Sequence, residues 1–138
     1  PNQAGTGAAG GLGFAFLSYT NAVLESGVKI ILEETKLESF IKNADFVITG
    51  EGRLDGQTVM GKAPIGVAEI AKKYEKKVLA FGGCVAEDAT LCNQYGIDAF
   101  FPILRTVTTL KEAMDFNHAK ENLSAAVEQV FRLIQSFK

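Results

Sequence analysis

Ala44-Asp45-Phe46-Val47-Ile48-Thr49-Gly50 is a short apolar, β-branched run closed by a glycine, and Val78-Leu79-Ala80-Phe81-Gly82-Gly83 repeats that pattern further along. Each reads as a strand buried on both faces. Between them Pro64 stands where a first helical turn tolerates proline. Val67, Ile70, Ala71 and Tyr74 follow at the spacing of one helical face, and Lys72, Lys73, Glu75, Lys76 and Lys77 form a charged end. Asp88 to Tyr95 predicts a short helix stopped by Gly96, and Ala99-Phe100-Phe101 predicts a third strand ended by Pro102. Apolar strands alternating with helices indicate a parallel sheet covered on both faces, with right-handed crossovers. The predicted fold is therefore α/β: a three-layer α/β/α arrangement around a parallel sheet, flavodoxin- or Rossmann-like. Three strands make a thin sheet, so further strands are expected upstream.

Outward from that centre, Leu12 to Leu24 predicts a helix, apolar on much of its circumference through Leu12, Phe14, Phe16, Leu17, Val23 and Leu24. Such continuous apolarity predicts burial on more than one side. Gly27 breaks it, and a second helix is expected from Val28 to Lys42. Towards the other end, Thr109 and Glu112 have the spacing of a capping box for a helix starting near Leu110. Leu123, Val127, Val130, Phe131 and Ile134 mark the apolar stripe of a closing helix. The expected organisation is a Gly-rich segment with helices over 1–43, from a second domain of a larger parent, and an α/β domain over 44–138 with a motif loop at 50–62.

An apolar fraction of 47% is ample for a core and argues against a long disordered chain. With 14 basic and 16 acidic residues, the chain offers no general attraction for nucleic acid or anionic lipid, so small molecules or proteins are the expected partners. Cys84 and Cys92 have the spacing of neither a zinc site nor a redox dithiol. No stretch resembles a signal peptide, and every apolar stretch is broken well short of the ~20 residues that span a bilayer. The expectation is a cytoplasmic protein. The start on Pro1, in a Gly-rich segment without Met, is read as a piece of a larger protein.

Ligands in open α/β sheets bind beyond the carboxyl ends of the strands. Of the three such ends predicted here, only the one after Thr49 leads into a dense set of reactive side chains. Glu51, Arg53, Asp55, Gln57, Thr58 and Lys62 are interleaved with Gly50, Gly52, Gly56 and Gly61. Glycines let a backbone turn and approach a ligand closely. Loop amides and the helix start near Pro64 favour an anion. Arg53 suits a carboxylate or phosphate through paired hydrogen bonds, and Lys62 suits phosphate charge. Asp55 or Glu51 suits proton acceptance from a hydroxyl, or indirect support of Mg²⁺. These parts fit phosphoryl transfer, in which positioning and charge stabilisation dominate. The bland alternative is a solvated loop whose charges only confer solubility.

Gly56-Gln57-Thr58-Val59-Met60-Gly61-Lys62-Ala63 has the spacing of a Walker A phosphate loop. It is read as a decoy, because Ala63 lacks the hydroxyl for Mg²⁺, the predicted strand ends six residues too early, and Pro64 removes a donor. Gly5-Thr6-Gly7-Ala8-Ala9-Gly10 matches a dinucleotide glycine pattern without a preceding strand in the chain. It is read either as small residues for close helix packing or as an anion site made by Thr6, Gly7 and neighbouring amides. His118 is read as a surface or packing residue of its helix, Cys84 as a small packing residue that borders the crevice, and Asp98 as a cap or turn before the third strand.

Three segments together resemble the bacterial glycerate kinase family. They are Gly5-Thr6-Gly7-Ala8-Ala9-Gly10-Gly11-Leu12-Gly13, Ile48-Thr49-Gly50-Glu51-Gly52-Arg53-Leu54-Asp55-Gly56-Gln57-Thr58, and Gly61-Lys62-Ala63-Pro64-Ile65-Gly66-Val67-Ala68. The resemblance covers essentially the whole chain. It implies an ATP- and Mg²⁺-dependent kinase that phosphorylates a hydroxyl of D-glycerate to give phosphoglycerate. It further implies a parent of two α/β domains with the active site between them, of which this chain is roughly the final third. The family's N-terminal strand and its Asp-Ser-Phe-Lys type motif are absent, so the N-terminal part of the same protein becomes a necessary partner and the chain alone lacks half of the cleft.

By position, Glu51, Arg53, Asp55, Gln57, Thr58 and Lys62 match the family's motif loop. Their roles are assigned on chemistry: Asp55, Arg53 and Glu51 catalytic, with Asp55 and Glu51 as indirect metal supports. Gly50, Gly52, Gln57, Thr58, Lys62, Thr6 and Gly7 are assigned to substrate or phosphate. Cys84 departs from a family pattern that more often reads Gly-Ser. Two other readings stand beside the kinase: a non-catalytic, receiver-like or ligand-binding α/β module, and a homo-oligomer formed through an exposed sheet edge.

Overall fold

The computed structural model describes residues 5–137. The chain falls into two compact units, Pro1–Leu37 and Glu38–Lys138. Among the described residues no helix is long and apolar enough to cross a membrane.

In the first unit, helix α1 (Ala8–Tyr19) opens irregularly, with Ala9, Gly10 and Gly11 all at left-handed φ. Gly13 explains that turn. A Cβ there would lie 2.3 Å from the Gly5 carbonyl oxygen, so only glycine lets the chain fold back this closely. The Phe14 N–H then donates to the Thr6 carbonyl at 3.1 Å. Regular helix therefore begins near Leu12, as its apolar run predicts, but ends at Tyr19 rather than Leu24. Leu12, Phe14 and Phe16 stay about half exposed, and Gly13 is the one buried residue of α1. The predicted burial on several sides is not met, because a unit this small has too little surface to cover them. The predicted helix 28–42 is split into α2 (Gly27–Glu34), in this unit, and α3 (Leu37–Ile41), which after Leu37 belongs to the second. Lys36, at φ +52, makes the break.

The second unit holds a sheet of three parallel strands in the order β1-β2-β3: β1 (Phe46–Leu54), β2 (Lys77–Val85) and β3 (Ala99–Pro102). Helix α4 (Ala63–Lys73) joins β1 to β2, and a 3-10 helix (Glu87–Tyr95) ending on left-handed Gly96 joins β2 to β3. Val78, Leu79, Ala80 and Phe81 are all buried, which requires cover on both faces of β2. On one face α4 packs Ile65, Ala68 and Ala71 against the sheet. On the other, the closing helix α6 (Phe116–Gln135) sets Val130, Ala126, Val127 and Ile134 against Leu79, Phe81 and Phe101, and Phe131 meets Phe46 edge-on at 6.3 Å. This is the predicted three-layer arrangement.

The strands run longer than their apolar runs suggest. β1 continues past Gly50 to Leu54 and β2 past Gly82 to Val85, paired as far as Leu54 and Val85. The reason is close approach. A Cβ on Gly50 would sit 2.4 Å from the Phe81 carbonyl oxygen, and one on Gly83 would sit 2.5 Å from the Gly52 carbonyl oxygen. Glycines that read as turn-makers in the sequence instead allow two backbones to lie unusually near each other.

Asp98 closes the far end of the sheet. It accepts the Val78 N–H at 2.7 Å and pairs with Lys72 at 2.5 Å and Lys77 at 3.5 Å. Burial raises its carboxyl, but Lys72 and the Val78 amide outweigh burial and hold it below the usual aspartate range. The short helix α5 (Leu110–Ala113) carries the predicted capping box, with Thr109 and Glu112 bonded reciprocally. Asp115 caps α6 by accepting the amides of Asn117 and His118, and His118 lies exposed beside it.

The bonds from the Thr109 backbone and the Thr108 and Thr109 hydroxyls hold Glu112 at about 2, against its ordinary 4.5. A carboxyl lowered in the folded state contributes its stability above its ordinary value and loses it as pH falls towards the folded one. Amide protection across α5 is therefore expected to drop between about pH 4.5 and 2, and Glu112→Ala to abolish that dependence. Hydrogen exchange measured over this window checks it, and an unchanged pH dependence in the variant refutes it.

Candidate active site

Four charged side chains meet where β1 runs out and α4 begins. Glu51 and Arg53 lie on β1 two residues apart, so the pleat places them on one face. Asp55 opens the connecting loop, and Lys62 is the N-cap residue of α4. Glu51 and Arg53 are thus strand residues, which corrects the expectation that strand gives way to loop at Gly50. A strand paired to its neighbour holds them more firmly than a free loop.

The geometry interlocks. The Lys62 ammonium lies 3.3 Å from Asp55 Oδ1 and 3.8 Å from Glu51 Oε1. Arg53 Nε lies 3.3 Å from Asp55 Oδ2, on a side chain 65% exposed, whereas the Asp55 side chain is only 18% exposed. Arg53 therefore turns most of its guanidinium outward while anchoring on a sheltered carboxylate. Asp55 Oδ1 also accepts the Gln57 amide at 3.0 Å. Burial raises the Asp55 carboxyl, but the Lys62 hydrogen bond and charge, with the Gln57 and Thr58 amides, outweigh it and hold the carboxyl below the usual range. Asp55 is accordingly an anion at neutral pH.

Beneath these groups lies Thr58, fully buried at 0% exposure. Its hydroxyl bonds to Glu51 Oε1, accepts the Asp55 N–H at 3.1 Å, and lies 3.4 Å from Asp55 Oδ1. Gln57 is exposed, as are Gly50 and Gly52. Thr6 and Gly7 belong to the first unit, where Thr6 is half-buried and Gly7 is the N-cap of α1.

Two residues that the sequence did not single out lie against this cluster. Asp88, at the start of the 3-10 helix, approaches so closely that a Cβ on Gly56 would lie 2.5 Å from its Oδ2. Cys92 is buried under the loop, with its thiol 3.9 Å from the Asp55 carbonyl oxygen. Burial, then the nearby charges of Glu51, Asp55 and Asp88, push that thiol up. The available signal was position: both follow the carboxyl end of β2, where ligand-facing groups gather.

The Walker-like spacing needs one correction. β1 ends at Leu54, directly before the loop, so a premature strand end does not argue against a phosphate loop. The hydrogen bonds do. The amides of Thr58, Met60 and Lys62 donate to the carbonyls of Asp55, Gln57 and Thr58, the Gln57 amide donates to the Asp55 carboxylate, and Lys62 faces two carboxylates. A phosphate cradle needs such amides directed at the ligand.

Mg²⁺ usually takes one or two carboxylates, completing its shell with water and phosphate oxygens. Glu51 and Asp55 converge on a single cationic point, that of Lys62, and so fit an ion arriving with phosphates. Among the described residues no group of three or more ligating side chains forms a dedicated cage.

Comparison with known proteins agrees with this architecture. The model of the glycerate kinase family matches residues 1–135. The chain is 42% identical to a glycerate kinase of Haemophilus influenzae over 96% of its own length and 35% of the relative's. It is 44% identical to a glycerate kinase of Bacillus subtilis, over 97% of this chain and 35% of that one. It is also 44% identical to the glycerate 2-kinase of Escherichia coli, over 91% and 32%. A crystal structure assigned to glycerate kinase 2 of Salmonella typhimurium LT2 superposes with a TM-score of 0.67 at 36% identity, covering 97% of this chain and 33% of that one. The chain thus spans about a third of the relatives it matches. With the strand-borne acid–base cluster and a family match running nearly end to end, the chain belongs to the glycerate kinase family.

Proposed function

We propose that the protein containing this chain transfers the terminal phosphoryl group of ATP to a hydroxyl of D-glycerate, forming phosphoglycerate and ADP in the cytoplasm. The observation that carries this reading is the meeting of Glu51, Arg53, Asp55 and Lys62 at the carboxyl end of β1. Phosphoryl transfer asks a protein mainly for alignment and for charge placed where charge develops. The N-terminal part of the same protein supplies the other wall of the cleft.

Arg53, exposed and steadied at Nε by Asp55, presents its remaining N–H groups to the glycerate carboxylate. Asp55, ionised and half-sheltered, accepts the hydroxyl proton as the new P–O bond forms. Its lowered carboxyl makes it a weak base, which suits a loose transition state in which that proton leaves late. Lys62 swings from its carboxylates to a phosphate oxygen, at the helix start where the α4 dipole also favours negative charge. Glu51, with Asp55 beside it, would hold Mg²⁺, which when bound neutralises charge on phosphate oxygens.

The decisive assay supplies the full-length protein with ATP, Mg²⁺ and D-glycerate. ADP and phosphoglycerate should appear in equal amounts, and ATP hydrolysis without phosphoglycerate would overturn the assignment. Arg53→Ala should raise the KM for glycerate by about 10-fold or more, as expected when a charged hydrogen-bond pair worth ~1.5–3 kcal/mol is lost. The KM for ATP should hardly move. A raised KM for ATP alone would transfer Arg53 to the nucleotide.

A further inference from the structure

The geometry points to Thr58 as the positioning residue that holds Glu51 and Asp55 in register, without itself touching substrate; this rests on the phosphoryl-transfer reading above. Sequence position alone places Thr58 among the ligand-binding residues. Its 0% exposure puts it instead behind them. Its single hydroxyl proton goes to Glu51 Oε1, the nearer acceptor, while its oxygen accepts the Asp55 amide at 3.1 Å. The Asp55 carboxylate at 3.4 Å is a distant second acceptor. One uncharged group therefore links a strand carboxylate to the first residue of the loop.

The link answers a physical problem. Glu51 and Asp55 are both anionic and both lie near one ammonium, Lys62. When Lys62 turns to phosphate, their mutual repulsion is no longer offset by that charge, and the loop is free to swing Asp55 away. A buried hydroxyl bonded to both sides resists this without adding charge. The Thr58 amide adds to the fixation by donating to the Asp55 carbonyl at 3.0 Å, forming a closed turn beneath the carboxylate.

Thr58→Val keeps the shape and removes the hydroxyl, and Thr58→Ser keeps the hydroxyl. In the full-length protein, Thr58→Val should lower kcat by about 100-fold, the order expected from an ångström-scale misplacement. The KM for glycerate should change much less than kcat, because Arg53 keeps its backbone place on β1 even where its Asp55 anchor shifts. Thr58→Ser should recover kcat to within about 3-fold of wild type. Independently of activity, the Asp55 amide should lose its hydrogen-exchange protection in the valine variant and retain it in the serine variant.

Wild-type kcat in Thr58→Val, or unchanged protection at Asp55, overturns the positioning role. A larger rise in KM than fall in kcat places Thr58 on the substrate and also overturns it. If the valine variant does not fold, Thr58→Cys, similar in size but a weak donor, takes its place in the same measurements under the same criteria. A wild-type protein that fails to phosphorylate glycerate sinks the proposed function, while the exchange result still decides the role of Thr58.

Discussion

Replacing Asp55 by Asn in the full-length protein should cut turnover with D-glycerate by about 10²- to 10⁴-fold, the contribution usual for a positioned acid–base group. Asn keeps the size of the side chain and can still accept the Gln57 amide. It loses the charge that faces Lys62 and Arg53, and with it the basicity that the proposed proton transfer needs. The KM for ATP should change far less than kcat, since an interaction made chiefly in the transition state is the one removed. Stability should fall only modestly, because Asn keeps the Gln57 bond and the cationic partners Arg53 and Lys62 still reach water. Thermal unfolding of the variant alongside its kinetics makes the comparison, and turnover near the wild-type value would remove Asp55 from the chemistry.

The second large effect is on stability. Gly83→Ala should destabilise the protein by about 1–3 kcal/mol, the usual consequence of forcing extra volume into a closely packed place. The added methyl would stand 2.5 Å from the Gly52 carbonyl oxygen and 3.5 Å from the Gly52 Cα, both backbone atoms of β1. No rotamer change relieves that contact; β1 and β2 must separate where they hold Glu51 and Arg53. Gly52→Ala is the matched control, since a Cβ there meets nothing within 4 Å. Its stability should stay within about 0.5 kcal/mol of wild type. Chemical denaturation of both variants tests the pair, and equal stabilities would show that the strands tolerate the separation.

Much of the fold was legible because it depends on local spacing. The apolar runs at Phe46–Ile48, Val78–Phe81 and Ala99–Phe101 all form parallel strands. Pro64 sits in the first turn of α4, Thr109 and Glu112 form their capping box, and Gly96 ends the 3-10 helix in the left-handed region. These features involve neighbours a few residues apart, so the order of residue types is enough to read them. The α6 stripe was equally plain, and Val127, Val130 and Ile134 pack as its period requires.

The charged cluster of the candidate site was legible in its membership and illegible in its arrangement. Glu51, Arg53, Asp55, Thr58 and Lys62 stand out as a candidate group from composition alone, and the structure brings their side chains together. Composition is silent on which of these glycines turn the chain and which let it run straight beside a partner, because that depends on a strand some thirty residues away. It is equally silent on the buried state of Thr58 and on the approach of Asp88 to Gly56. What the order of residues settled by itself was the alternation of strand and helix and the place along the chain where reactive groups gather, since both follow from local periodicity and side-chain chemistry. What the tertiary structure alone decided was that β1 and β2 continue through their glycines to Leu54 and Val85. That pairing places Glu51 and Arg53 on a shared strand face and Thr58 behind them, because contacts distant in sequence take their geometry from packing.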